Sequence, residues 1–460
     1  MRKSTLALVV VVALACQQSP APQPQPSPRN LTGVLGAATY EIDVPGTWNG
    51  TLFLYSHGYV APGGGNTAQS APAFARKWLL DRHFAAAGSA YSTTGWAVED
   101  ALKDQMALLD FFARNVGKPT RVIAWGHSLG GLITAGLIQL HPDRFAAAMP
   151  MCGVLSGSIA TWNVELDSTY AFKTLLAPQS QLELVHITDG FADLDLAQKV
   201  LTAAQQTSPG QARLALVAAV ADLPGWFSPA QPEPAADDYA SQGAAQWLWI
   251  SPTGFGYAFP GRLELEQRAG GNPSWNVGVD YGALLAASVD RAEVEALYAK
   301  AGLDLQQDIR TLNAGTRIKA DPAAAAYLDR NLSLDGNLSV PVMSMHTTGD
   351  GLVIAANEAA YSRAVASTGK QEMLRQVFVH RAGHCTFTAA ETIAALQVLL
   401  KRLDSGQWDD SALQPAALNA AALAQGSANQ LFGIPFDPSF VSYTPASHPR
   451  PFLKGSAVPA

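Results

Sequence analysis

Three residues far apart in the chain are equipped for one kind of chemistry together: a serine at 128, a carboxylate at 350 and an imidazole at 384. A serine hydroxyl is a poor nucleophile until a base takes its proton, and the base must be held in one tautomer by an acid. Ser128 stands in Gly126-His127-Ser128-Leu129-Gly130-Gly131, directly after the apolar run that starts at Arg121. A nucleophile at a strand tip leaves the sheet on a sharp strand-to-helix bend, and Gly126 and Gly130 leave room for that bend. Leu129 to Leu140, apolar and rich in small residues, supplies a helix whose N-terminal N–H groups face the serine and any oxyanion formed there. A bare glycine-rich turn that happens to hold a serine would need neither flank, and here both are present.

The acid and the base are read from position. Asp350, in Thr347-Thr348-Gly349-Asp350-Gly351-Leu352-Val353, falls just past a strand pattern, where a carboxylate reaches the sheet edge. His384, in Arg381-Ala382-Gly383-His384-Cys385, falls in the loop after the next strand pattern. Taken alone, an Asp in a glycine-rich turn is ordinary turn chemistry and a lone His is a core residue; their joint placement is what singles them out. Asp321, Asp329 and Asp335 precede the strand, His346 and His380 lie inside strands, and His127 cannot easily fold back onto its neighbour's hydroxyl. His380 and His384 have a metal-like spacing, but it spans a strand end and a loop, so no metal site is expected. No phosphate loop, dinucleotide fingerprint or paired-cysteine motif is present, and no cofactor is expected.

The elements that must carry these residues alternate. Ala37 to Val44 and Thr51 to Tyr55 read as strands around a hairpin-like opening at Pro45 to Gly50. Phe84 to Tyr91 reads as a strand, Trp96 to Val116 as a helix and Phe145 to Cys152 as another strand, the pattern of a parallel sheet covered on both faces. From Gly153 to about Ser339, Ala- and Leu-rich helical stretches (194–205, 211–223, 291–301) form a helical insertion without a clear strand. It is aromatic at its centre, with Trp226, Phe227, Trp247, Trp249, Phe255, Tyr257, Phe259, Trp275 and Tyr281, most of them core and a minority available for a pocket. Strand and helix patterns resume with Val340 to His346, Ile354 to Ala366, Leu374 to His380 and Phe387 to Leu403. Residues 405–460 form an Ala-, Pro- and Gly-rich extension with no assigned role.

With this motif and the chain order Ser128, Asp350, His384, the sequence resembles the α/β-hydrolase fold serine hydrolases of the esterase and lipase type, with a large helical cap between the sixth and seventh strands. The resemblance spans roughly 37–152 and 340–404. It implies a mostly parallel central sheet with helices on both faces, a core of 31–152 and 340–404, and a cap of 153–339. It also implies hydrolysis of a small-molecule carboxylic ester through an acyl-enzyme: Ser128 attacks, His384 moves the proton, Asp350 orients His384, and the backbone N–H groups of Leu129 and Tyr59 hold the oxyanion. Tyr59 follows Ser56-His57-Gly58 at a strand end, ahead of a glycine-rich loop. The aromatic cap points to aromatic or medium-sized esters. Two other readings stand beside this one. An aminopeptidase-like peptidase would need cap carboxylates such as Glu233, Asp237, Asp238, Glu264 or Glu266 to hold a substrate amine, and a non-catalytic binding protein on the same scaffold would be expected to have lost a triad member.

At 460 residues the chain has ample apolar material for a full core, and its formal net charge of -7, without a basic run in the body, argues against nucleic acid as a partner. Met1-Arg2-Lys3 and the short apolar run Leu6 to Ala15 resemble an export signal over 1–16, too short to span a bilayer. Cys16 sits where a lipoprotein would be processed and lipidated. Ala13 stands where a large aliphatic residue is usual, so lipid anchoring and plain secretion both remain open, with a periplasmic, envelope or external location in either case. Residues 17–30, alternating Pro with Gln, Ala and Ser, read as an extended tether. The remaining cysteines, Cys152 and Cys385, form either a disulfide near the active-site edge or two buried thiols.

Overall fold

The computed structural model describes residues 27–459; the export signal, Cys16 and most of the tether lie outside them. β1 (Arg29–Leu35), β2 (Ala38–Val44), β3 (Thr51–Ser56), β4 (Ala85–Ser89), β5 (Arg121–His127), β6 (Ala147–Met151), β7 (Val342–Gly349) and β8 (Leu374–Ala382) join one sheet. Two short strands, β9 (Gln430–Leu431) and β10 (Ile434–Pro435), pair with each other, and β11 (Phe440–Val441) completes the main sheet. Its order is β1-β2-β4-β3-β5-β6-β7-β8-β11. Neighbours from β4 to β8 run parallel, while β1, β2 and β11 add antiparallel edges. This is an α/β-hydrolase fold.

Alternation along the central strands explains the two layers. In β3 and β5, Leu52, Leu54, Val122 and Ala124 point to one core, shared with α2 (Val98–Asn115) and α3 (Leu129–Leu140). Phe53, Tyr55, Ile123 and Trp125 point to the other, shared with α1 (Ala73–Asp81), α14 (Ala389–Ser405) and α15 (Pro415–Leu423). Between β6 and β7 the chain builds the insertion from α4 (Ser158–Leu176), α5 (Gly190–Ala204), α6 (Ser208–Val220), α7 (Tyr239–Leu248), α8 (Arg262–Ala269), α9 (Tyr281–Ala287), α10 (Arg291–Ala301), α11 (Leu305–Ala314) and α12 (Pro322–Arg330). It has its own apolar centre, with Phe172, Phe259, Tyr281 and Tyr298 fully buried. α13 (Ala356–Ser367) follows β7.

The hairpin expected between 37–44 and 51–55 is not formed. β2 instead pairs with β1 across the two-residue turn Gly36-Ala37, where Gly36 has φ +63°. The reason lies in burial: all six residues of β3 are buried, so β3 needs a parallel neighbour on each side, and β4 and β5 supply them. β2, with exposed Thr39, suits a place nearer the edge. The sheet also begins at Arg29, inside the stretch expected as tether.

The C-terminal extension is part of the fold. β11 pairs with β8, and the buried Arg381 guanidinium bridges Glu391 (2.7 Å) and the carbonyl of Asp437 (3.1 Å). Glu391 also accepts from the backbone N–H of Thr388 and Ser439. Farther on, Arg450 pairs with the buried Asp167 of the insertion and donates to the Trp275 carbonyl. Removing one partner of a buried ion pair strands the other, so Glu391→Ala should destabilise the protein by about 3–5 kcal/mol. Chemical denaturation against wild type checks this, and a change under about 1 kcal/mol would contradict it.

Candidate active site

Ser128 joins β5 to α3 with φ 58° and ψ -125°, a left-handed conformation that the surrounding packing imposes. A Cβ on Gly126 would lie 2.5 Å from the Ser56 carbonyl oxygen, and one on Gly130 would collide with that same oxygen. These glycines let the bend nest against the end of β3. The serine hydroxyl takes no part in capping α3, and its own N–H is held by the Met151 carbonyl at 3.0 Å. Gly58 passes so close that a Cβ there would sit 3.3 Å from Ser128 Cβ, which brings Tyr59 next to the serine. Among the described residues, neither the Leu129 nor the Tyr59 backbone N–H has a protein acceptor. Both are therefore free for an oxyanion.

The structure brings Asp350 and His384 together. Asp350 is buried at the end of β7; its Oδ1 accepts the N–H groups of Leu352 and Val353 at 3.0 Å each, and its Oδ2 accepts Nδ1–H of His384 at 2.7 Å. That bond leaves the lone pair on His384 Nε2, the tautomer a general base needs. The His384 loop is tied to the Asp350 loop: Gly383 N–H donates to the Gly349 carbonyl, and Thr347 Oγ1 donates to the Gly383 carbonyl. Among the described residues Ser128 Oγ makes no hydrogen bond, and Nε2 faces the Cys385 sulfur at 3.4 Å, a disulfide sulfur with no proton to donate. Contacts between nucleophile and base are commonly loose in a free enzyme and tighten with substrate.

The rival residues have other occupations. His127 packs its ring against Tyr55 and Phe74, and burial, with the nearby His384, lowers its pKa to about 4. His380 reaches Glu233 at 3.0 Å on the surface. Asp321 flanks the start of α12 and accepts from Asn272 N–H at 2.7 Å. Sequence reasoning passed over what His346 does. Fully buried, it donates from Nδ1 to Glu358 (3.0 Å) and from Nε2 to the Val353 carbonyl (2.8 Å), with Asp350 Oδ2 3.7 Å from Nε2. The Val353 carbonyl can only accept, so Nε2 carries a proton, and an ionised Glu358 beside Nδ1 favours the imidazolium form of this ring. Burial works against that charge, but the bond to Glu358 and the fields of Glu358 and Asp350 outweigh it and raise its pKa.

Cys152 and Cys385 are joined as a disulfide with Cα atoms 5.4 Å apart, closing a separation of 233 residues immediately beside His384. Cys152, Cys385 and His384 are also the one close set of metal-ligand types among the described residues, but bonded sulfurs offer no thiolates. For a loop of this length the chain-entropy estimate is about 5 kcal/mol of stabilisation. Cys385→Ser, or reduction of the native protein, should lower the melting temperature by several degrees and reduce turnover through the loosened His384 loop. A thermal melt with and without reductant, alongside initial rates, checks both.

A cavity opens above Ser128 and Leu129, walled by Trp96, Trp162, Trp249, Phe255 and Tyr257. Of the nine cap aromatics singled out in the sequence, Trp249, Phe255 and Tyr257 line it, while Phe259 and Tyr281 are core. Trp249 presses on Gly351, where any side chain would strike the indole, so the cap meets the acid loop directly. The cap carboxylates expected for an amine site are placed elsewhere. Glu233 faces His380, Asp238 caps α7, Glu264 holds Trp96 N–H and Arg268, Glu266 holds Ile187 N–H, and Asp237 is exposed. The carboxylate that does line the cavity is Glu165, hidden in the sequence as an ordinary residue of a long helix.

Residues 90–179, which include Ser128, match the Prolyl oligopeptidase family. Over 427 residues the chain is 30% identical to an o-phthalyl amidase of Xanthobacter agilis, covering 85% of this chain and 90% of that one. Similar solved structures include an esterase from Aspergillus oryzae (12% identity, 82% of this chain and 79% of that chain, TM-score 0.40). The rice cell wall degrading esterase LipA from Xanthomonas oryzae is also similar (14%, 81% and 86%, TM-score 0.36). An acylaminoacyl peptidase of Pyrococcus horikoshii matches at 11% identity, 78% of this chain and TM-score 0.35, and this chain spans only 37% of its length.

Proposed function

The chain belongs to the family of the Xanthobacter agilis o-phthalyl amidase and is a serine hydrolase of the α/β-hydrolase fold, and from that premise we propose that it cleaves carboxylic esters and amides bearing an aromatic group, through an acyl-enzyme on Ser128. The observation that carries the reading is the 2.7 Å bond from His384 to the buried Asp350, on the same sheet edge as the strained serine turn. Ser128 Oγ attacks the carbonyl carbon as His384 Nε2 takes its proton. The resulting oxyanion is held by the Leu129 and Tyr59 N–H groups; collapse expels the alcohol or amine, which receives the proton from His384. Water then repeats the cycle and releases the acid.

The aromatic walls favour a ring beside the scissile bond. An amide as the natural bond is a second reading, favoured by the 30% identity to the o-phthalyl amidase of Xanthobacter agilis. Parallel rates on nitrophenyl esters and nitroanilides of benzoic, phenylacetic and butyric acids test the proposal. Benzoyl and phenylacetyl compounds should be cleaved in preference to butyryl. No cleavage of either class, or equal rates in Ser128→Ala, would overturn it. The same proposal places the protein outside the cytoplasm, tethered by a lipid on Cys16, which suits a chain with a disulfide beside its active site. The mass of the mature N-terminal peptide tests that part: a diacylglyceryl Cys16 is expected, and an unmodified terminus would contradict it.

A further inference from the structure

Behind the acid lies a buried pair, His346 of β7 and Glu358 of α13, and neither side chain reaches the cavity over Ser128. Glu358 is fixed from three elements. Ser344 of β7 and Gln376 of β8 both donate to its Oε2. It also stands in the first turn of its own helix, where free backbone N–H groups favour a negative charge. Its Oε1 holds Nδ1 of His346 at 3.0 Å.

The other side of the ring faces the acid. Nε2–H of His346 donates to the Val353 carbonyl at 2.8 Å, while the N–H of the same Val353 donates to Asp350 Oδ1 at 3.0 Å. The turn from Asp350 to Val353 is thereby held twice, by the carboxylate it carries and by the ring behind it. Asp350 Oδ2 lies 3.7 Å from Nε2 of His346 and 2.7 Å from Nδ1 of His384, so one carboxylate oxygen stands between the two imidazoles. Stability alone does not account for such a pair. Desolvation of buried charges commonly cancels their attraction, and apolar side chains of similar size would fill the same space at no greater cost to folding.

We propose that His346, paired with Glu358, is a positioning residue: it keeps the Asp350 turn closed, so that Oδ2 stays aimed at Nδ1 of His384 and Nε2 of His384 stays free to take the serine proton. It touches neither substrate nor reacting atoms and acts through Asp350. The assignment rests on the acyl-transfer reading of Ser128 and extends that machinery one step back, from the acid to the strand and helix that hold it. Anchoring on regular elements suits the task, because a side chain held by a strand and a helix transmits less play to the acid than one held by a loop.

His346→Gln, Glu358→Gln and the double variant carrying both test this. Each single change strands the partner and should lower the melting temperature by several degrees. The double variant sets two neutral amides face to face and should regain most of that loss. Its kcat should nevertheless stay about tenfold to a hundredfold below wild type with KM within about threefold, since a misaligned acid slows proton transfer without removing a substrate contact. The far-downfield proton resonance of His384 Nδ1–H, in its bond to Asp350, reads the same alignment without substrate. It should be present in wild type, absent in His384→Ala and weakened in the double variant. Recovery of kcat together with the melting temperature, an unweakened resonance, or a double variant that does not fold would each refute the assignment. A resonance weakened as expected in a protein that cleaves neither esters nor amides would sink the hydrolase reading alone, and cleavage left at the wild-type rate by the double variant would sink the His346 assignment alone.

Discussion

Ser128→Ala is expected to lower kcat by roughly 10⁴-fold or more while leaving the fold intact. The two halves of that expectation come from different observations. The Oγ atom makes no hydrogen bond with the described residues and does not cap α3, so its removal breaks none of their hydrogen bonds. Alanine also adds no atoms to the crowded bend, where Gly126 and Gly130 already touch the Ser56 carbonyl. The melting temperature should therefore stay within about 2 °C of wild type, since surface-like deletions without lost contacts change stability by only about 0.5 kcal/mol. A large drop in activity with an unchanged melt separates a chemical role from a structural one.

Asp350→Asn is expected to cost about 10³–10⁴-fold in kcat, again with a modest effect on folding. The surrounding bonds determine why. Oδ1 accepts two backbone N–H groups, from Leu352 and Val353, so the amide oxygen of asparagine must stay on that side. The amide NH₂ then faces His384 Nδ1 at the former Oδ2 position, 2.7 Å away, and donates where the carboxylate accepted. The imidazole is driven to carry its proton on Nε2, the atom that has to take the serine proton. Turning the amide over would restore the histidine but set NH₂ against two N–H donors. A rate within about tenfold of wild type would remove Asp350 from the machinery.

The serine turn and the parallel core were legible because local chemistry dictates them. Gly126, Ser128 and Gly130 have meaning only between a strand and a helix, and β3, β5 and β6 are apolar on both faces wherever the chain places them. The first hairpin was misread because β2 and β3 are adjacent in sequence, whereas burial of every β3 residue assigns it two parallel partners instead. β1 carries polar residues at an edge and merges with the proline-rich stretch before it, so periodicity alone does not reveal it. The extension was opaque for a different reason. Its attachment depends on two residues of β11 and on single side chains such as Arg450, which leave no pattern in sequence.

Within the site, residues at loop tips after strands were legible and those inside elements were not. Asp350 and His384 announce themselves by following β7 and β8, but His346 and Glu358 sit within a strand and a helix and read as core. Glu165 is likewise masked by helical context: only the course of the insertion over the sheet turns one residue of α4 toward Ser128. The disulfide lay between the two. Both cysteines were visible beside the active-site edge, while their distance of 5.4 Å between Cα atoms belongs to the folded chain.

The central claim is that His384 and Asp350 make one hydroxyl, that of Ser128, reactive. A fluorophosphonate probe tests it most directly, because the activated serine displaces fluoride and keeps the phosphonyl group as a fixed mass increment. The expected result on native protein is one label per chain, mapped to the peptide containing Ser128, abolished in Ser128→Ala and strongly slowed in His384→Ala. Absence of labelling, or labelling that persists at full rate in either variant, would contradict the account.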